Sequence, residues 1–228
     1  MGNSKSKFEF DNPWRDNTLG KEKKDALMKG IKNIEPYNRD LKFLRILLVG
    51  PCGSGKSSFI NSVNNAFKGR ITSCAQSDSI GGTSFTVHYQ PFEIECGNST
   101  LHVVFNDVMG LETGSMRGCP VEDIIKAIHG HIRSDYVFNP GKPVSSGDEH
   151  YIENPTISDQ AFCLVYVLAA DRIQFENDSV LEKMRDIRMQ VRSLGLPQII
   201  ILSNVDEACP LVKSDLKKVY TSKKSKKG

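Results

Sequence analysis

The sequence lacks the features that would place it in a membrane or on a secretory route. No run approaches the roughly 18 uninterrupted apolar residues of a membrane-spanning helix. The N-terminus has no apolar core of the secretory kind. The six cysteines, Cys52, Cys74, Cys96, Cys119, Cys163 and Cys209, form no C-x-x-C pair and no Cys/His cluster. That pattern argues against zinc and against a disulfide framework, and points to reduced thiols in the cytoplasm. Charge of one sign is also scarce. A net charge of +3 over 228 residues is too small to imply a nucleic-acid partner. A hydrophobic content of 39% and a charged content of 25% suit one soluble domain with arms.

What the sequence does have is a complete phosphate-loop signature, Gly50-Pro51-Cys52-Gly53-Ser54-Gly55-Lys56-Ser57. Leu44–Val49 reads as a short buried strand before it, and Ser58–Val63 as the opening of a helix after it. Strand, glycine loop and helix N-terminus is the setting in which this pattern binds phosphate. Backbone N–H groups converge there and the helix dipole adds positive potential. Lys56 is expected to reach the outer phosphates and the Ser57 hydroxyl to ligate Mg²⁺. The expected cradle is therefore Gly50 to Ser57 together with Ser58.

The rest of the chain alternates strands with helices. Strands are expected at Phe85–Tyr89, Leu101–Phe105, Ala161–Ala169 and Gln198–Leu202, with a hairpin turn at Gly97-Asn98. Helices are expected at Lys21–Ile31, after the loop to about Phe67, at Val121–Ile132 and at Ser179–Leu194. The sum predicts an α/β fold, a doubly wound and mostly parallel sheet of the phosphate-loop GTPase type, lacking its last strand and helix. Residues 1–40 form a polar N-terminal arm and residues 41–228 the domain, within which 133–159 is an irregular insertion.

Two further signals turn the loop toward GTP. The strand ending near Phe105 runs into Asp107-Val108-Met109-Gly110, a D-x-x-G element. Asp107 is expected to hold Mg²⁺, and the Gly110 amide to sense the γ-phosphate. After Leu202 comes Ser203-Asn204-Val205-Asp206, where GTPases place [Asn/Thr]-Lys-x-Asp. Asp206 can accept from the guanine N1–H and exocyclic amine. Asn204 replaces the lysine whose stem covers the base, so the guanine site of Ser203, Asn204 and Asp206 is expected to be weakened. Thr83 is the first candidate to complete the Mg²⁺ shell, with Ser84 and Thr86 as rivals.

The chain resembles the interferon-induced protein 44 family at Gly50–Ser57, Asp107–Glu112, Gly130-His131, Tyr136–Pro140, Leu194–Gln198 and Val205–Pro210. The resemblance covers roughly residues 36–222 and implies a cytoplasmic GTP-binding protein of the innate immune and antiviral response. It also implies a short form, without the N-terminal TLDc domain and truncated at the C-terminus. Family members often carry Thr-Lys-x-Asp where this chain has Ser203–Asp206, and continue into a further strand bearing the last base-contacting loop.

No catalytic residue is identified. Leu111 stands where small GTPases place the water-orienting Gln. Arg70 and Arg117 are the in-cis arginines nearest the switch segments in sequence. Hydrolysis is therefore expected to be slow or partner-dependent, with a protein partner or self-association through the nucleotide face. A peripheral membrane contact is a further expectation, because Gly2 fits the N-myristoylation pattern and Lys217, Lys218, Lys223, Lys224, Lys226 and Lys227 could supply basic attraction. The expected ligands are Mg²⁺ with GTP or GDP. The alternative is a non-enzymatic immune interaction protein whose nucleotide site is vestigial. A phosphate-loop kinase or ATPase is a third reading, although no arginine-rich lid is evident.

Overall fold

The computed structural model of the chain describes residues 9–15, 20–38, 40–75, 88–114, 117–223 and 225. A near-continuous apolar run suits a strand covered on both faces, and Leu44–Val49 forms such a strand, β1, with Leu47, Leu48 and Val49 fully buried. Helix α1, Lys21–Lys32, lies in the N-terminal arm, and the loop after β1 opens helix α2, Lys56–Lys68. An antiparallel hairpin follows, β2 (Gln90–Cys96) and β3 (Ser99–Asp107), turning at Gly97-Asn98. Then come α3 (Val121–His129), β4 (Ala161–Ala169), α4 (Asp178–Arg192) and β5 (Gln198–Ser203). The strand order is β2-β3-β1-β4-β5, and all neighbours except β2 and β3 run parallel.

Apolar residues on the two sides of the sheet make two cores. Leu48, Ile60, Ile94, Phe105 and Val167 form one, against α2. Leu47, Val49, Ile124, Ile128, Leu164 and Ile187 form the other, against α3 and α4. This is the doubly wound α/β architecture expected.

Two elements differ from expectation. The strand expected at Phe85–Tyr89 lies instead at Gln90–Cys96, while residues 85–87 fall outside the described residues. Pro91 disguises it, since proline is tolerated where a ladder is not continued on both sides, and among the described residues β2 is an edge. The Tyr89 backbone serves the insertion instead, donating to the Tyr136 carbonyl and accepting from the Asp135 N–H, both at 2.8 Å. Helix α3 stops at His129 rather than Ile132. Gly130 takes φ 85°, a left-handed helix terminus, and a Cβ there would lie 2.8 Å from the Asp159 carbonyl carbon.

The segment 133–159 has one turn of 3₁₀ helix, Ile157–Asp159, and is otherwise irregular. It is anchored all the same. Phe138 and Val144 are buried in the core under α3. Asp123, fully buried on α3, accepts hydrogen bonds from the Tyr136 hydroxyl and the Val144 N–H, each at 2.9 Å.

Past β5 the chain forms two short helices, α5 (Val205–Ala208) and α6 (Pro210–Ser214), then a 3₁₀ segment, Leu216–Tyr220. The N-terminal arm is strapped to this end. The Phe10 N–H donates to the Thr221 carbonyl at 2.8 Å and the Trp14 N–H to the Tyr220 carbonyl at 2.9 Å. The Trp14 and Tyr220 rings meet edge to face, 5.2 Å between centroids. Among the described residues β5 pairs only with β4, leaving Ile199 and Ile200 on an exposed edge.

Candidate functional site

Open α/β sheets place their sites outside the carboxyl ends of the strands. Four loops meet there: Gly50–Gly55 after β1, Val108–Glu112 after β3, Ala170–Arg172 after β4, and Asn204–Asp206 after β5.

Helix α2 begins at the phosphate loop, and no side chain among the described residues caps its N-terminus. Its cap residue is Gly55, which has no side chain to close the first turn. The first-turn N–H groups of a helix have no intrahelical acceptor, and here they belong to Lys56, Ser57 and Ser58. Lys56 is itself only 4% exposed. Its ammonium donates to the Gly50 carbonyl at 3.3 Å and the Pro51 carbonyl at 3.2 Å. No carboxylate among the described residues lies within ion-pair distance of it. A buried cation held, among the described residues, by two backbone carbonyls at a helix start is an arrangement that can receive an anion.

The metal-binding expectation also has a geometric counterpart. Asp107, at the end of β3, and Ser57, at the start of α2, are both buried, and the Ser57 hydroxyl donates to Asp107 Oδ2 at 2.6 Å. Two hard oxygen donors together beside a phosphate cradle fit Mg²⁺, which binds through one or two protein oxygens plus phosphate and water. The third candidate ligand, Thr83, lies outside the described residues, as do its rivals Ser84 and Thr86, and Gly2 at the N-terminus.

The segment after Asp107 lies directly on the phosphate loop. The Leu111 N–H donates to the Gly50 carbonyl at 3.0 Å, and the Cys52 N–H donates to the Leu111 carbonyl at 3.1 Å. The approach requires glycine at position 110, where a Cβ would meet Cys52 Cα at 2.6 Å. Leu111 is 1% exposed and belongs to the α3-side core. From α4, Lys183 donates to the carbonyls of Glu112 and Gly114, both at 2.8 Å.

On the base side, the Ser203 hydroxyl is engaged with backbone. It donates to the Ser54 carbonyl at 2.6 Å and lies 3.3 Å from the Leu168 carbonyl, tying the end of β5 to the phosphate loop. Asn204 is left-handed at φ 50°, and Asp206 sits half-buried in the first turn of the four-residue helix α5.

Arg70 lies at the far end of the 13-residue α2, about 20 Å along its axis from Lys56. Arg117 is exposed. Arg172 was missed by sequence reasoning: its guanidinium donates to the Gly53 carbonyl at 3.4 Å. No local motif flags it, since it reaches the site only because β4 lies beside β1. Of the C-terminal lysines, Lys218 pairs with Glu9 at 3.3 Å and Lys223 lies over the Phe10 ring at 5.7 Å. Lys224, Lys226 and Lys227 lie outside the described residues. No described helix is long and apolar enough to cross a membrane.

No protein-family model matches the chain. Among curated proteins it is similar to interferon-induced protein 44 of Homo sapiens, with 31% identity over 197 residues covering 86% of this chain and 44% of that protein. It is likewise 31% identical over 197 residues to interferon-induced protein 44-like of Homo sapiens, covering 86% and 43%. Interferon-induced protein 44 of Mus musculus gives 28% over 201 residues, covering 85% and 46%. The chain thus spans less than half the length of the curated relatives it matches.

Proposed function

We propose that this chain, related to the interferon-induced protein 44 family over 86% of its length, binds a guanine nucleotide with Mg²⁺ and acts in an interferon-induced immune response as a nucleotide-dependent protein of slow or partner-assisted turnover. The immune assignment rests on the relatives' names. The nucleotide assignment rests on one observation above others, the buried Lys56 at the start of α2, whose partners among the described residues are two backbone carbonyls.

In this reading the N–H groups of the cradle and Lys56 hold the β- and γ-phosphates. Ser57 and Asp107 hold Mg²⁺, which would neutralise phosphate charge. Asp206 accepts from the guanine edge. Leu111 is apolar and packed into the core, so its side chain can neither donate to nor accept from an attacking water. Slow hydrolysis follows unless a partner supplies the missing group. The test is titration calorimetry with GTP·Mg²⁺ on the chain and on Lys56→Ala. Saturable binding by the chain, weakened at least about a hundredfold in the variant, is the expected result. Equal affinities would refute the site.

A second reading, an interaction protein with a vestigial nucleotide site, is favoured by the contact of Leu111 with Cys52, which occupies one cradle N–H. It predicts no thermal shift with GTP·Mg²⁺.

A further inference from the structure

We propose that Arg172 covers the base-and-ribose side of the bound nucleotide, taking over the role of the lysine that Asn204 replaces. The proposal rests on the nucleotide reading above and names a specificity residue within it.

The observations are geometric. Two loops clasp one turn of the phosphate loop. The loop after β5 does so through Ser203 Oγ on the Ser54 carbonyl, and the loop after β4 through Arg172 Nη2 on the Gly53 carbonyl. The two loops are joined to each other, since the Ala170 N–H donates to the Ser203 carbonyl at 2.9 Å. Arg172 therefore stands on the residue next to the one Ser203 holds, and Ser203 directly precedes Asn204. Its backbone is fixed by a tight turn, with the Arg172 N–H donating to the Ala169 carbonyl at 3.1 Å. The side chain is steered by Asp171, whose Oδ2 lies 3.5 Å from Arg172 Nε. The guanidinium lies against Gly53, with Arg172 Nη1 3.4 Å from where a Cβ would begin, an ordinary contact distance.

The chemistry suits that place. A lysine in the base loop contributes an aliphatic stem over the purine and a cation near the phosphate loop. The Asn204 side chain is too short for the first task and has no charge for the second, and it makes no hydrogen bond among the described residues. A guanidinium supplies both, because it is planar, stacks on aromatic faces and stays charged at any working pH. The Arg172 side chain is 59% exposed, so the plane is accessible to a ligand entering from solvent.

The experiment compares the chain with Arg172→Ala, and with Arg172→Ala combined with Asn204→Lys, by titration calorimetry against GTP·Mg²⁺ and inorganic tripolyphosphate·Mg²⁺. Arg172→Ala is expected to weaken GTP about tenfold and to leave tripolyphosphate within about twofold. Asn204→Lys is expected to restore most of the GTP affinity, a rescue that a merely structural arginine would not allow. Unchanged GTP affinity in Arg172→Ala would overturn the proposal, and so would equal loss of both ligands, which would make Arg172 a phosphate contact. A chain that binds neither ligand would instead bring down the nucleotide reading itself.

Discussion

At the scale of single residues, the site is defined by groups held away from their usual partners. Lys56 is buried against carbonyls rather than a carboxylate, and Leu111 is packed in the core where a GTPase would present an amide. Leu111→Gln should therefore not install catalysis. It should bury an amide and lower stability by about 1–3 kcal/mol, with single-turnover GTP hydrolysis unchanged. A faster turnover would show that position 111 alone sets the rate. Asp123 is a further displaced group. Burial outweighs its two hydrogen bonds and raises its pKa from 3.8 to about 6. The folded chain thus takes up this proton more readily than the unfolded chain. The stability it contributes is full below about pH 4 and is lost as the pH rises through about 6. Asp123→Asn should flatten that decline in thermal midpoint while keeping an acceptor for the Val144 N–H. Parallel pH profiles for the two proteins would contradict the assignment.

At the scale of elements, the loop after β3 is the segment to watch. It is pinned by Leu111 in the core and by Lys183 from α4. Lys183→Ala should release two carbonyls and speed amide exchange across residues 108–114, by roughly five- to tenfold for a net loss of about 1 kcal/mol. Exchange unchanged there would show that Leu111 suffices. Elements with their own local signal were legible in the sequence. β1 and β4 lie where their apolar runs lie, α2 starts at the glycine loop, and the Gly97-Asn98 hairpin turns as written. Elements decided by neighbours were not. β2 is masked by Pro91, and the last turn expected of α3 is cut off by Gly130 against Asp159. The site divides in the same way. Lys56, Ser57 and Asp107 belong to motifs with fixed spacing and come together. Arg172 and Lys183 reach the site across the sheet, and no spacing along the chain announces such contacts.

At the scale of the whole molecule, the two ends of the described chain meet. The arm around Trp14 is strapped to residues 220–222 beside the exposed β5 edge. A cavity of about 640 Å³, lined in part by Trp14, Ile200, Leu202, Val205 and Tyr220, lies between strap and edge. Trp14→Ala should loosen this closure and lower the thermal midpoint by about 2–4 °C, as for the loss of about 1 kcal/mol in a chain of this size. An unchanged midpoint would show that the backbone bonds alone hold the arm. In the proposed reading, four loops at one end of the sheet would hold the phosphates and Asp206 would choose guanine. The most direct test of that reading is competition of GTP against ATP, each with Mg²⁺, for the chain at equilibrium. GTP should bind more tightly, and Asp206→Ala should erase most of the difference while leaving phosphate binding in place. Equal affinity for the two nucleotides in the unmodified chain would contradict the account.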